Sequence, residues 1–246
     1  VLQFKYAAGF TGGSAPGTLY FSTVGRSIHE LFAGYWVKIN STFENHVNGT
    51  KISFNEAGLG DGQTSGYAVI PILGGGTVNG VIALHIYYPA DGTIVNTHLD
   101  PATTDCDPGS PSAGSCQLYS NISGPAFNRG AWHRIELYHK QSTTKTSRDG
   151  IVRVWLDGGM RLDYPNVNSG QLEFTVIKLS PTFGGTGQAK THDDFMWVDH
   201  AYWSASSAQP PPADTTPPVA PTGLTVASWA ASAIYLVPAM SLTIVS

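Results

Sequence analysis

Short runs in which apolar and polar residues alternate with a period of two constrain this chain more than any other feature. The clearest are 35–40, 51–56, 81–88, 132–140, 151–157, 172–179 and 195–203, separated by Gly, Asn, Asp and Pro. Such alternation puts successive side chains on opposite faces of a half-buried strand. No run carries the roughly 3.6-residue spacing of an amphipathic helix. Many short strands without a helix predict an all-β fold of two packed sheets, a sandwich or jelly roll. The composition agrees, because 246 residues with 28 glycines and only 12% charged side chains suit one sizeable β core with long polar loops.

The alternation also assigns faces. Ile135 and Leu137, Val152, Val154 and Leu156, and Ile82, Leu84 and Ile86 point to the core, with Tyr35 and Val37. Opposite them lie Arg134, Glu136 and Tyr138, Arg153 and Trp155, His85 and Tyr87, and Trp36 and Lys38. Lys51, Ser53 and Asn55 oppose Ile52 and Phe54, and His133 and His139 share the apolar face of their run as buried or edge histidines. Outer faces that mix aromatics with Lys, Arg, His and Glu suit sugars, whose C–H faces are apolar and whose hydroxyls need donors and acceptors. The Asp157–Gly158 pair predicts a tight hairpin.

Several function classes drop out. A net charge of −4, from 13 basic and 17 acidic residues, gives no footprint for a nucleic-acid backbone. No apolar run approaches the roughly 20 residues of a membrane-spanning helix. No Gly-x-Ser-x-Gly elbow occurs, and Gly74 to Gly76 lacks the Lys-Ser/Thr ending of a phosphate-binding loop, so esterase and NTPase chemistry are not expected, nor is an organic cofactor. Cys106 and Cys116 flank a Gly/Pro/Ser-rich loop that can close a small disulfide ring, which fits a secreted or cell-surface protein; two free thiols are the other reading. Residues 205–221 are a Pro/Ala/Thr-rich linker, and PTGLTV after it resembles the first strand of a fibronectin type III-like module, so residues 222–246 look like a truncated module or remnant.

The run RGAWHRIELYHK (129–140) followed by SRDGIVRVWLDG (147–158) resembles the paired strands of concanavalin A-like jelly rolls, including laminin G-like domains and several polysaccharide lyase families. IKLSPTFGGTG (177–187) and DDFMWVDHAYWS (193–204) resemble their closing strands, so the resemblance covers residues 1–204. It implies glycan recognition on a concave sheet. The substrate-binding candidates are Trp36, Lys38, Lys51, Asn55, Glu136, Arg153, Trp155 and Lys178. Retaining glycosidases of this fold carry a Glu-x-Asp-x-x-Glu pattern, which is absent here. Lyases of the fold use a His or Tyr base, a Tyr acid and a carboxylate-neutralising Arg, Gln or Asn, which implies His85, Tyr87, Arg134 and Tyr138 as the catalytic set. Where those lyases carry a Tyr-x-Lys-x-Gly-x-Tyr type motif, this chain keeps Lys178 without the tyrosines. The group often holds a structural calcium ion through an Asp of the final strand, here Asp199, with Asp193 and Asp194 as weaker candidates. Three functions therefore stand open: polysaccharide recognition, β-eliminative cleavage of a uronic-acid polymer, or a structural or adhesive surface domain. Oligomeric state is left open by the sequence.

Overall fold

The computed structural model describes residues 1–22, 27–57, 67–73, 82–87, 115–118, 122–124, 126–144, 147–167, 171 and 173–205, of which 67–73, 82–87 and 115–118 are described by backbone alone. Every described element is a strand: β1 (Leu2–Tyr6), β2 (Leu19–Ser22), β3 (Glu30–Ile39), β4 (Thr50–Lys51), β5 (Ser53–Ala57), β6 (Tyr67–Leu73), β7 (Ile82–Tyr87), β8 (Ser115–Leu118), β9 (Trp132–Lys140), β10 (Gly150–Leu156), β11 (Gly159–Val167), β12 (Phe174–Leu179) and β13 (Asp194–Ser204). They form a six-stranded sheet in the order β1-β13-β3-β9-β10-β11 and a seven-stranded sheet in the order β2-β12-β5-β6-β7-β8, with β4 on β6. Pairing is antiparallel throughout. This is the two-sheet jelly-roll sandwich the alternation predicts. Beyond Ala205, the expected linker and fibronectin-like start fall on residues outside the described ones.

The inward rows of both sheets merge into one apolar cluster. Phe4, Tyr35, Val37, Ile135, Leu137, Val152, Val154, Met196 and Val198 of the six-stranded sheet pack with Ala57, Phe174, Ile177 and Leu179 of the other. Polar and aromatic contacts cross the same interior. The Tyr35 and Ser53 hydroxyls are hydrogen-bonded at 3.1 Å, and His139, fully buried, lies edge-on to Phe174 with centroids 4.9 Å apart. His133 is buried too; its Nδ1 donates to Asp157 at 2.7 Å while its Nε2 accepts the Asn128 N–H at 2.8 Å. Both histidines are therefore interior groups, as their apolar face implies.

Three local features set the faces. Asp157 and Gly158, with φ of 51° and 79°, make the expected β10–β11 hairpin, a turn that needs two left-handed residues. In β13 the register shifts between Asp199 and Tyr202, with His200 at φ 46°, so Met196 and Val198 before the bulge and Ala201 and Trp203 after it all meet the core. Gly34 of β3 is required because Tyr202 lies across it: a Cβ there would sit 2.4 Å from the Tyr202 ring.

Candidate functional site

β12 joins β2 to β5 on the seven-stranded sheet. A register shift between Phe174 and Val176 turns Phe174, Ile177 and Leu179 inward and leaves Lys178 outside. Lys178 pairs in register with Tyr20 on one side and Phe54 on the other. Its Nζ donates to Glu56 Oε1 at 3.1 Å, with the two side chains 14% and 5% exposed. The same ammonium stands 5.7 Å from the Tyr20 ring centroid, and Lys51 stands 5.7 Å from that of Phe54. Tyr20 itself is half exposed.

The backbone register extends these rows across the sheet. Asn55 pairs with Val69, so Phe54 shares a row with Ile70, which pairs with His85, which pairs with Gln117. Glu56 likewise leads through Ala68 to Tyr87 and Ser115. With strands spaced about 4.8 Å apart, His85 and Lys178 occupy one row with backbones about 14 Å apart. Lys51, Lys178, His85 and Tyr87 thus belong to one sheet, as do Tyr20, Phe54, Glu56 and Gln117, which were not among the sequence candidates. Tyr20 was legible in the alternation of Leu19, Tyr20 and Phe21, where Leu19 and Phe21 pack on the core.

Arg134 and Tyr138 do not join them. With Trp36, Lys38, Glu136, Arg153 and Trp155 they lie on β3, β9 and β10, on the outer face of the six-stranded sheet. The interior separates that face from the other, on the order of 10 Å from sheet to sheet. The expected quartet of His85, Tyr87, Arg134 and Tyr138 is therefore corrected: it is split between opposite sides of the sandwich and cannot close on one sugar. The same separation keeps Glu56 and Glu136 from facing each other.

The charges on the six-stranded face are also internally paired. Arg134 binds Glu136, which accepts the Tyr202 hydroxyl at 3.3 Å. Arg153 donates to Asp163 at 2.8 Å, and Tyr138 donates to Glu30. Phe32 stacks on Trp155 with centroids 5.9 Å apart and packs on Tyr138, while Lys38 covers Trp197. Burial, then the Glu30 carboxylate, raises the Tyr138 phenol well above its ordinary value; burial and Glu136 do the same to Tyr202. Both stay protonated and are poor candidates for a general base.

Asn55 is a second correction. It is fully buried in the row of Ile177, inside the sandwich, and no polymer on the outer face reaches it. β4 ends at Lys51 and β5 begins at Ser53, so the strand break at Ile52 resets the alternation that joined Lys51 to Asn55.

Asp199 lies across from Trp36 at the β13 bulge. Its Oδ1 accepts the His200 N–H at 2.9 Å and faces the Val1 amino group at 3.4 Å. Calcium takes roughly six to eight oxygen ligands. Among the described residues, Asp199 belongs to no cluster of three or more His, Cys, Asp or Glu side chains, so a calcium ion there would have to draw its other ligands from backbone carbonyls. Glu44, His192 and Asp194 do converge at one end of the sandwich. There Asp194 accepts Asn40 Nδ2 at 2.9 Å, the Glu44 N–H at 2.8 Å and Lys190 Nζ at 2.7 Å, while Glu44 accepts the Thr191 N–H at 2.7 Å. With the carboxylates spent on these donors and an ammonium among them, the cluster is a hydrogen-bonded clasp between loops. Cys116 lies in β8 across from Ile86; Cys106 and the Cys116 side chain are outside the described residues.

The fold and its faces define a concanavalin A-like sandwich of the kind found in polysaccharide lyases. Three solved structures are similar to it. Alginate lyase vAL-1 from Chlorella virus has a TM-score of 0.59 at 18% identity, covering 80% of this chain and 81% of that one. The marine PL-14 alginate lyase from Aplysia kurodai gives 0.58 at 16%, over 82% and 81%. The endo-β-1,4-glucuronan lyase from the fungus Trichoderma reesei gives 0.52 at 17%, over 82% and 78%. At these identities the likeness is one of fold. No family model matches the sequence, and no curated protein matches it.

Proposed function

We propose that this protein cleaves a uronic-acid polysaccharide by β-elimination on the outer face of its seven-stranded sheet. The observation that carries the reading is the register row joining Lys178, His85 and Gln117, with Glu56 and Tyr87 in the next row. The likeness of the fold to alginate and glucuronan lyases supports it.

The chemistry asks for three functions. The substrate carboxylate must be neutralised so that the C5 proton becomes acidic, a base must take that proton, and an acid must protonate O4 as it leaves. Breaking C5–H supplies the electron pair of the new C4–C5 double bond, and the C4–O4 pair departs with the leaving sugar. In this reading Gln117, in register with His85 on the neighbouring strand, meets the carboxylate, His85 takes the proton and Tyr87 protonates O4, while Lys178, about 14 Å along the row, meets the polymer at another residue. No metal is asked to take part. A polymer substrate places the activity outside the cell, secreted or at its surface.

A second reading, recognition without cleavage, is favoured by the aromatic edge of Tyr20 and Phe54 beside Lys178. Mass spectrometry of a polyuronate digest separates the two. Elimination gives oligomers one water lighter than hydrolysis products, whereas a binder leaves the polymer intact.

A further inference from the structure

We propose that Tyr20 and Lys178 form a sugar subsite at the β2 edge of the seven-stranded sheet, in which the phenol ring carries the apolar face of one uronic-acid residue and the ammonium meets its carboxylate. The proposal rests on the polysaccharide reading of that face but not on cleavage.

Tyr20 is 50% exposed on the outermost strand of the sheet. Its backbone is nevertheless fixed: β2 pairs with β12 over Leu19 to Ser22, Leu19 and Phe21 pack on the core, and Phe21 contacts Trp203 at 5.5 Å between centroids. Thr18, just before the strand, is tied to Ser180 at 2.8 Å. A rigid, exposed, amphipathic ring with few rotatable bonds is the group that sugars stack on at least entropic cost. A lone exposed tyrosine would carry no such weight. Here the ring stands beside Lys178, and Glu56 holds that ammonium in place from a position only 5% exposed.

The charges fit an acidic sugar. Glu56 is covered and offset by Lys178, while Lys51 lies further along the same face over Phe54. Two ammonium groups thus stand along this face beside the exposed ring, and an ammonium with three N–H donors can serve Glu56 and a substrate carboxylate together. A neutral sugar would use the ring and gain nothing from the ammonium, so the subsite should prefer uronic over neutral sugars.

The test is calorimetric titration of the full chain with saturated oligomannuronate, oligoglucuronate and neutral cello-oligosaccharide, alongside ultraviolet detection of unsaturated products. Tyr20→Ala should weaken oligouronate binding roughly tenfold, Tyr20→Phe should keep it, and Lys178→Met should remove the preference over the neutral oligomer. Thermal midpoints of the Tyr20 variants should stay with the wild type. Oligouronate binding that depends on Tyr20, with no unsaturated product, upholds the subsite and overturns the lyase reading. Product formation with unchanged affinity in Tyr20→Ala overturns the subsite and upholds the lyase. No binding to any uronic oligomer overturns the subsite.

Discussion

Lys178 and Glu56 meet diagonally across β12 and β5 at 3.1 Å, one register row apart, with Glu56 almost fully covered. A charge covered to that degree depends on its partner. Glu56→Gln should therefore destabilise the fold, by less than the roughly 3–5 kcal/mol of a fully buried pair because Lys178 keeps some contact with water. Glu56→Gln combined with Lys178→Met should recover much of the loss. Urea unfolding of the single and double variants measures this, and strictly additive losses would remove the pair from the account.

His139 makes stability fall in acid. Burial lowers its pKa to about 3, whereas in the unfolded chain it titrates at roughly 6.5. As pH falls through that interval the unfolded chain binds the proton first. The stabilising contribution is complete above about pH 6.5 and shrinks toward pH 3, by roughly 2–3 kcal/mol at about pH 4.5. His139→Leu lacks this dependence. The difference in unfolding free energy between wild type and variant should shift against the wild type by that amount between neutral pH and pH 4.5, and a constant difference would contradict the assignment.

Lys190 and Asp194 are wholly buried, 2.7 Å apart, with the ammonium 3.6 Å from the Phe43 ring centroid and 4.4 Å from that of Phe183. Lys190→Met should cost about 3–5 kcal/mol, because Asp194 then keeps its carboxylate without a cation. Thermal unfolding measures it. A loss below roughly 1 kcal/mol would mean the clasp is not what closes this end of the sandwich.

The sequence made the architecture legible because period-two alternation is a local property. It placed Tyr35, Ile135, Val154 and their neighbours inward and located the Asp157–Gly158 turn. Other strands were hidden by local exceptions: β6 contains Pro71, a residue that usually argues against a strand, and Gly34 breaks the pattern in β3 where Tyr202 needs the space. Asn55 was misplaced because two polar residues of β5 face inward, Ser53 to meet Tyr35 and Asn55 among apolar neighbours. The catalytic quartet failed for a different reason. Alternation gives the face of a strand but not its sheet, and β7 and β9 are assigned to opposite sheets by pairings distant in sequence.

A bond between Cys106 and Cys116 remains a proposal from the loop composition. Thiol titration of the denatured, unreduced protein should find almost no free thiol. Its reduction should cost about 2–3 kcal/mol on the loop-entropy estimate. Two titratable thiols would end the proposal.

The central claim is that cleavage belongs to the seven-stranded face and not to its opposite. The most direct measurement is the rate at which unsaturated uronic ends appear, followed by ultraviolet absorbance on polyuronate substrates, in His85→Ala and Arg134→Ala beside the wild type. The account predicts that the wild type forms product and that His85→Ala lowers turnover roughly 10²- to 10⁴-fold. Arg134→Ala should act only through stability, with turnover per folded molecule close to wild type. Loss of turnover in Arg134→Ala with His85→Ala unaffected, or no unsaturated product from the wild type on any polyuronate, would contradict it.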